Sequence, residues 1–146
     1  MTVRTNTRLG TREALGALFA EAGLLALPSA LSPVVFRLPS PGPVEELVGY
    51  PEGRFQVQDE AAQLVGLYAA IPDGARVLDA CAAPGGKACH QAETHSVLAV
   101  DLYAAKLEKL RSEARRLRLE DRIEVLAHDA TEPNHSDRAR AAPRTT

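Results

Sequence analysis

Residues 77–90 read "VLDACAAPGGKACH", and this stretch decides how the chain around it folds. Apolar residues run into Asp79, and a Pro84-Gly85-Gly86-Lys87 turn follows. Breakers of that kind stop a strand sharply, and residues 87–93 then read as a short helix. A phosphate loop would need G-x-x-x-x-G-K followed by Ser or Thr. Here Ala88 follows Lys87, and Cys81 stands where the first glycine belongs, so the magnesium-binding hydroxyl is missing. The dinucleotide fingerprint G-x-G-x-x-G is absent as well. What remains is a glycine turn between a buried strand and a helix. Gly85 and Gly86, lacking side chains, let the backbone approach a ligand closely.

Downstream, the apolar run "SVLAVDL" ends at Asp101, and "RIEVLAHD" ends at Asp129. Between them residues 104–119 form an amphipathic helix, with Leu107, Leu110, Ala114 and Leu117 on one side. Strand, helix, strand, helix, strand implies an α/β fold with right-handed crossovers and a parallel sheet of three strands. The first strand, continuously apolar up to Asp79, is expected to be buried on both faces. Ligands of open α/β sheets sit beyond the carboxyl ends of the strands, so Asp79, Asp101 and Asp129 should gather at one rim. Asp101 lies 22 residues beyond Asp79. That is the usual place for a carboxylate bridging ribose hydroxyls. A cofactor with a ribose but no need of a phosphate cradle fits best, and S-adenosyl-L-methionine is the obvious candidate.

Upstream, "TVRTN" is β-compatible. Residues 12–22 form a helix capped by Thr11, with Leu15, Leu18, Phe19 and Ala22 at helical spacing and Gly23 to end it. Residues 34–38 form a strand, the proline-rich stretch 39–43 a loop, and 44–48 a short helical turn. In "RFQVQDEAAQLVGLYAAI" Phe55 and Val57 alternate with polar neighbours as a strand, and Asp59 caps a helix over 61–70.

The chain has 146 residues, 45% apolar and 25% charged, with a net charge of −2. No global basic field points to nucleic acid, so any such surface must be local. Two cysteines eight residues apart make no disulfide scaffold, and reduced cytoplasmic thiols are expected. The first residues lack the apolar segment of a signal peptide, and no apolar run is long enough to span a bilayer. Residues 131–146 carry no large apolar side chain and read as a disordered tail.

"DACAAPGGK", with "QDEAAQL" before it and "AVDL" after it, resembles the NOL1/NOP2/Sun family of RNA cytosine-5 methyltransferases, in its bacterial ribosomal branch. The string from Cys81 to Lys87 is highly specific to that family, and the likeness runs from about residue 3 to 129. Ala88 departs from the family's usual Thr. The resemblance implies the first three strands of a Rossmann-like class I S-adenosylmethionine-dependent methyltransferase sheet. Residues 53–130 would form this half-domain, behind a small α+β RNA-binding-like subdomain over 1–52. It implies that Cys81, Ala82, Ala83, Pro84, Gly85, Gly86 and Lys87 wrap the donor, that Asp101 binds its ribose and that Asp129 lies beside its adenine. Gln58 and Asp59 fall in a family motif near that pocket. Ribosomal RNA, of the small subunit, is the implied partner.

Such enzymes attack carbon 6 of cytosine with a cysteine thiolate, which makes carbon 5 able to take a methyl group. The Thr-Cys-Ser and Asp-Ala-Pro-Cys motifs that carry the family's two cysteines do not occur in these 146 residues. The expectation is therefore a truncated or frame-shifted member with no catalytic residue of its own and no methyl transfer, the tail at 131–146 being disordered or frame-shifted. The alternative is a non-catalytic module that binds S-adenosylmethionine or RNA. Cys81 and Cys89 lack an evident activating group. The spacing of Cys89, His90 and His95 matches no standard zinc site, so no metal is expected. Lys106, Lys109, Arg111, Arg115, Arg116 and Arg118 read as a solvated outer face, with a Lys109/Glu113 pair. Arg4, Asn6 and Arg8 are the better RNA contacts.

Overall fold

The computed structural model describes residues 1–131, so the expected tail, Thr131 apart, lies outside the described residues. Four short strands, β1 (Thr2–Thr5), β2 (Leu27–Pro28), β3 (Val35–Arg37) and β4 (Phe55–Val57), form an antiparallel sheet in the order β2-β3-β1-β4. Three more, β5 (Arg76–Asp79), β6 (Ser96–Asp101) and β7 (Ile123–Ala127), form a parallel sheet in the order β5-β6-β7. The helices are α1 (Arg12–Glu21), α2 (Glu60–Tyr68), α3 (Gly86–Ala92) and α4 (Ala104–Arg116), with a 3-10 turn at Val44–Glu46. The expected partial Rossmann-like α/β sheet, preceded by a small α+β unit, is what the chain forms.

In the first unit, the Thr11 side chain accepts the Ala14 N–H at 3.2 Å and caps α1. Such a cap contributes about 1 kcal/mol. Leu15 and Phe19 of α1 turn inward, and the Phe19 ring meets those of Phe36 and Phe55 edge-on, with centroids 5.9 and 5.5 Å apart. Edge-to-face geometry suits the aromatic quadrupoles. β4 lies against β1 with Val3 opposite Val57 and Thr5 opposite Phe55, so this sheet takes in residues beyond position 52. Its sidedness differs from the expected alternation. Phe55 is buried, Val57 is 43% exposed, and Gln56 and Gln58 are buried instead. The reason is on the neighbouring strand: the buried Arg4 guanidinium needs acceptors, and the two glutamines supply them. Asp59 does stand at the start of α2, but its side chain makes no capping hydrogen bond.

Against the parallel sheet, α3 and α4 bury Cys89, Leu107, Leu110, Leu117, Val97 and Ile123 in one core, as the helical spacing of the leucines predicts. β5 departs from the expected burial on both faces: Leu78 is 63% exposed. Among the described residues β5 is an edge strand, paired to β6 alone, and the helices cover the face that Val77 shares, leaving Leu78 open.

A polar joint ties the two units together. The Asn6 amide donates to the carbonyls of Gly53 at 2.9 Å and Leu117 at 2.8 Å. Arg116 donates to the carbonyls of Tyr50 at 2.6 Å and Phe55 at 3.0 Å, and lies 3.8 Å from the Tyr50 ring centroid. Arg4 forms an ion pair with Glu93 that is buried on both sides. Two expectations are corrected here. Arg4 and Asn6 are interior residues committed to protein acceptors, so they offer nothing to RNA. Arg8, by contrast, stays exposed, paired at the surface with Asp121 at 2.9 and 3.1 Å. Arg116 leaves the solvated face of α4 to make the joint, and it takes the Glu113 carboxylate that Lys109 was expected to pair with.

Candidate functional site

The parallel register aligns Asp79 with Ala99 and Asp101 with Ala127. Asp79 is the last residue of β5, Asp101 the last of β6, and Asp129 follows the end of β7 by two residues. The three carboxylates therefore share the carboxyl rim of the sheet, as expected from the three strand ends.

The loop after β5 is fastened to β6. The Ala82 N–H donates to the Val100 carbonyl at 2.9 Å, and the Ala83 N–H donates to Asp101 Oδ2 at 3.1 Å. Asp101 Oδ1 accepts the Tyr103 N–H at 3.1 Å. The backbone N–H groups of Tyr103 and then Ala83 hold the Asp101 carboxyl below its usual range. Hydrogen bonds to the charged form have this effect, and they keep the group ionised well below neutral pH. Each of its oxygens has a further lone pair to offer. Asp79 Oδ1 accepts the Cys81 N–H at 3.3 Å, and Asp129 Oδ1 accepts the N–H and hydroxyl of Thr131 at 2.9 and 2.6 Å.

Within the loop, Cys81, Pro84 and Lys87 are exposed, Ala83 and Gly86 half-buried, and Ala82 and Gly85 buried. The two glycines serve different ends. Gly85 has φ +115°, and a Cβ there would stand 2.8 Å from Leu110 Cγ, so its missing side chain lets α4 pack against the turn. At Gly86 a Cβ would meet only Gln58 Nε2, at 3.8 Å. Close approach of a ligand is thus an argument for Gly86, and Gly85 is accounted for by the core. Gln58 donates from Nε2 to the Gly86 carbonyl at 3.1 Å, which brings the upstream glutamine to the loop.

The other reactive side chains are dispersed. Burial pushes the Cys89 thiol up to about 12, with the Glu113 charge adding to the effect, so it carries no thiolate at neutral pH. Burial, helped by the Arg4 charge, takes the His90 imidazole down to about 4. His95 is turned to Thr94 and to the Pro72 carbonyl. Among the described residues no three His, Cys, Asp or Glu side chains come together as a metal site, and no helix is long and apolar enough to cross a membrane.

The buried Arg4–Glu93 pair, which ties β1 to the end of α3, escapes the sequence reading. Cross-strand pairing carried a signal: Arg4 lies opposite Gln56, so one face of the β1/β4 pair is polar on both strands. Glu93, 89 residues away from Arg4, left none.

The sequence profile of the family described as 16S rRNA methyltransferase RsmB/F matches residues 67–141, half of the chain. The ribosomal RNA small subunit methyltransferase B of Pseudomonas syringae pv. tomato is 42% identical over 136 residues, covering 90% of this chain and 30% of the relative. That of Vibrio cholerae is 38% identical over 136 residues, covering 91% and 31%. The chain thus spans about a third of the length of these curated relatives. In fold it is similar to a methyltransferase homolog from Pyrococcus horikoshii, with a TM-score of 0.78 at 20% identity over 87% of this chain and 43% of that one. It is also similar to NSun6 from the same organism, solved with SFG, with a TM-score of 0.76 at 16% identity over 88% and 57%. The specific loop sequence, the parallel sheet that carries it and the matched profile agree, and the chain belongs to the RsmB/F family of 16S rRNA methyltransferases.

Proposed function

We propose that this chain is the donor-binding part of a cytoplasmic methyltransferase acting at carbon 5 of cytosine in small-subunit ribosomal RNA. In this reading residues 81–87, Asp101 and Asp129 hold S-adenosyl-L-methionine, and residues 1–52 supply the RNA-facing part. The observation that carries it is the Asp101 carboxylate. It stands at the rim beside the specific loop, is kept ionised by two backbone N–H groups, and retains lone pairs for further donors. A ribose diol offers two such donors, and charge-assisted hydrogen bonds of this type are the strong ones. Asp129 would lie beside the adenine. The exposed Cys81, Pro84 and Lys87, with the backbone of Ala82, Ala83, Gly85 and Gly86, would contact the remainder of the donor. The chemistry such a donor supplies is an electrophilic methyl group on a sulfonium. The RNA assignment is supported by the names of the relatives, which are ribosomal RNA small subunit methyltransferases.

Neither cysteine suits attack on carbon 6. Cys89 stays protonated in the core, and Cys81 belongs to the donor loop. The chain by itself is therefore expected to bind donor and transfer no methyl group. Isothermal titration should show uptake of S-adenosylmethionine by the parent chain and an affinity at least about tenfold lower for Asp101→Asn, the loss expected for hydrogen bonds to a charged acceptor. Equal affinity in the variant would remove Asp101 from the site. With labelled donor and ribosomal RNA, no label should enter the RNA, and transfer by this chain would overturn the missing nucleophile.

A further inference from the structure

Arg4 sits in β1 with no solvent exposure. A buried guanidinium is tolerated only with a counter-charge and acceptors for its donors. Arg4 has both. It pairs with Glu93, donates from Nε to Gln58 Oε1 at 2.8 Å, and donates from Nη2 to Gln56 Oε1 at 3.1 Å. Since Arg has only donors, the Gln58 side chain must turn its oxygen to Arg4. Its nitrogen is thereby aimed at the Gly86 carbonyl, 3.1 Å away. Gly86 opens α3 and Glu93 closes it. Arg4 thus reaches the end of the seven-residue helix directly, through Glu93, and its start by way of Gln58. That helix has no side-chain cap at its start, so Gln58 is the side chain that bonds its first residue.

We propose that Arg4, acting through Gln58, is a positioning residue for the methyl donor: it holds the glycine turn and the first turn of α3 against the Asp101 rim. This rests on the donor-binding reading above. The turn's carbonyl and α-carbon positions set the shape of the donor cradle, and the Arg4-Gln58-Gly86 chain fixes them from outside the parallel sheet. Donor affinity therefore depends on the first unit of the molecule, although that unit need not touch the donor.

A double-mutant cycle on the full chain tests this, read by titration with S-adenosylmethionine and by amide hydrogen exchange without donor. Gln58→Glu keeps the length of the side chain and its acceptor towards Arg4, but turns a second oxygen to the Gly86 carbonyl. It should lower donor affinity about tenfold, as expected for one hydrogen bond lost and replaced by a carboxylate oxygen facing the Gly86 carbonyl. It should also speed exchange in α3 and leave α1 and α4 unchanged. Gln56→Glu is the matched control, since Gln56 also accepts from Arg4 and meets α3 only at Cys89, away from the glycine turn, and its donor affinity should stay within twofold of the parent. Arg4→Lys should weaken donor binding in the Gln58 background and add nothing to Gln58→Glu, because groups acting in series are not additive. Equal losses from Gln56→Glu and Gln58→Glu, or additive losses in the cycle, would overturn the proposal. If Arg4→Lys fails to fold, the two glutamine variants decide alone. A parent chain that takes up no donor defeats the donor-binding reading and this proposal with it. A parent that binds donor while Gln58→Glu binds it equally well defeats this proposal alone.

Discussion

Gly85 and Gly86 are neighbours with opposite demands. Gly85 adopts φ +115°, and a Cβ there would press on Leu110 Cγ at 2.8 Å. Gly86 begins α3 and has room for a methyl group. Gly85→Ala should therefore cost about 2–4 kcal/mol, from a strained backbone and an overpacked contact together. Gly86→Ala should change stability by under about 1 kcal/mol, since alanine is the better helix former. Urea unfolding of the two variants checks the contrast, and similar losses in both would contradict it. In sequence the two glycines read as one device for approaching a ligand. What identified the turn was local, namely breakers between a strand and a helix. What divides the labour inside it is the position of Leu110, which no local pattern encodes.

At the scale of elements, the helices and strands were legible wherever their determinants are local. Thr11 caps α1 as its hydroxyl suggests, and the leucines of α4 face the sheet at their helical spacing. Sidedness was legible only where apolar residues mark it. In β4 the alternation of Phe55 and Val57 missed the polar face, because Gln56 and Gln58 are buried by Arg4 on another strand. In β5 the apolar run says "strand", but exposure depends on which elements flank it, and Leu78 is open. α3 carries a further consequence of burial. Its His90 is held neutral, its pKa lowered from 6.5 to about 4, mainly by desolvation. The folded state thus takes up its proton at lower pH than the unfolded chain does. The stability that this group allows is full above about pH 6.5 and is lost as pH falls towards about 4, by up to roughly 3 kcal/mol. Urea midpoints at pH 7.5, 6 and 5 should fall more steeply for the parent than for His90→Gln, in which this proton uptake is removed. Parallel slopes for the two chains would show that His90 does not titrate this way.

The whole molecule is held by contacts that look, in sequence, like surface. Arg4, Asn6 and Arg116 read as nucleic-acid contacts or as a solvated helix face, and all three are parts of the joint between the two sheets. Composition cannot separate a solvated polar residue from one buried against partners far along the chain: Asn6 and Leu117 are 111 residues apart, and only the fold joins them. Such a joint has a thermodynamic signature. Neither unit can loosen without leaving buried donors, acceptors and the Arg4–Glu93 pair uncompensated, which costs several kcal/mol. The antiparallel and parallel sheets should therefore melt together in one cooperative transition, with calorimetric and van't Hoff enthalpies equal. Asn6→Ala strips the carbonyls of Gly53 and Leu117 of their shared donor and should cost about 1–3 kcal/mol. The decisive readout compares two probes in that variant: far-ultraviolet circular dichroism for the whole chain, and fluorescence of Tyr50, which packs on Arg116 at the joint, in a background with Tyr68 and Tyr103 replaced by Phe. Both curves should shift to lower temperature together. If the Tyr50 signal melts early while the dichroism keeps its parent midpoint, the two sheets are separate folding units and the polar joint is only a contact between them.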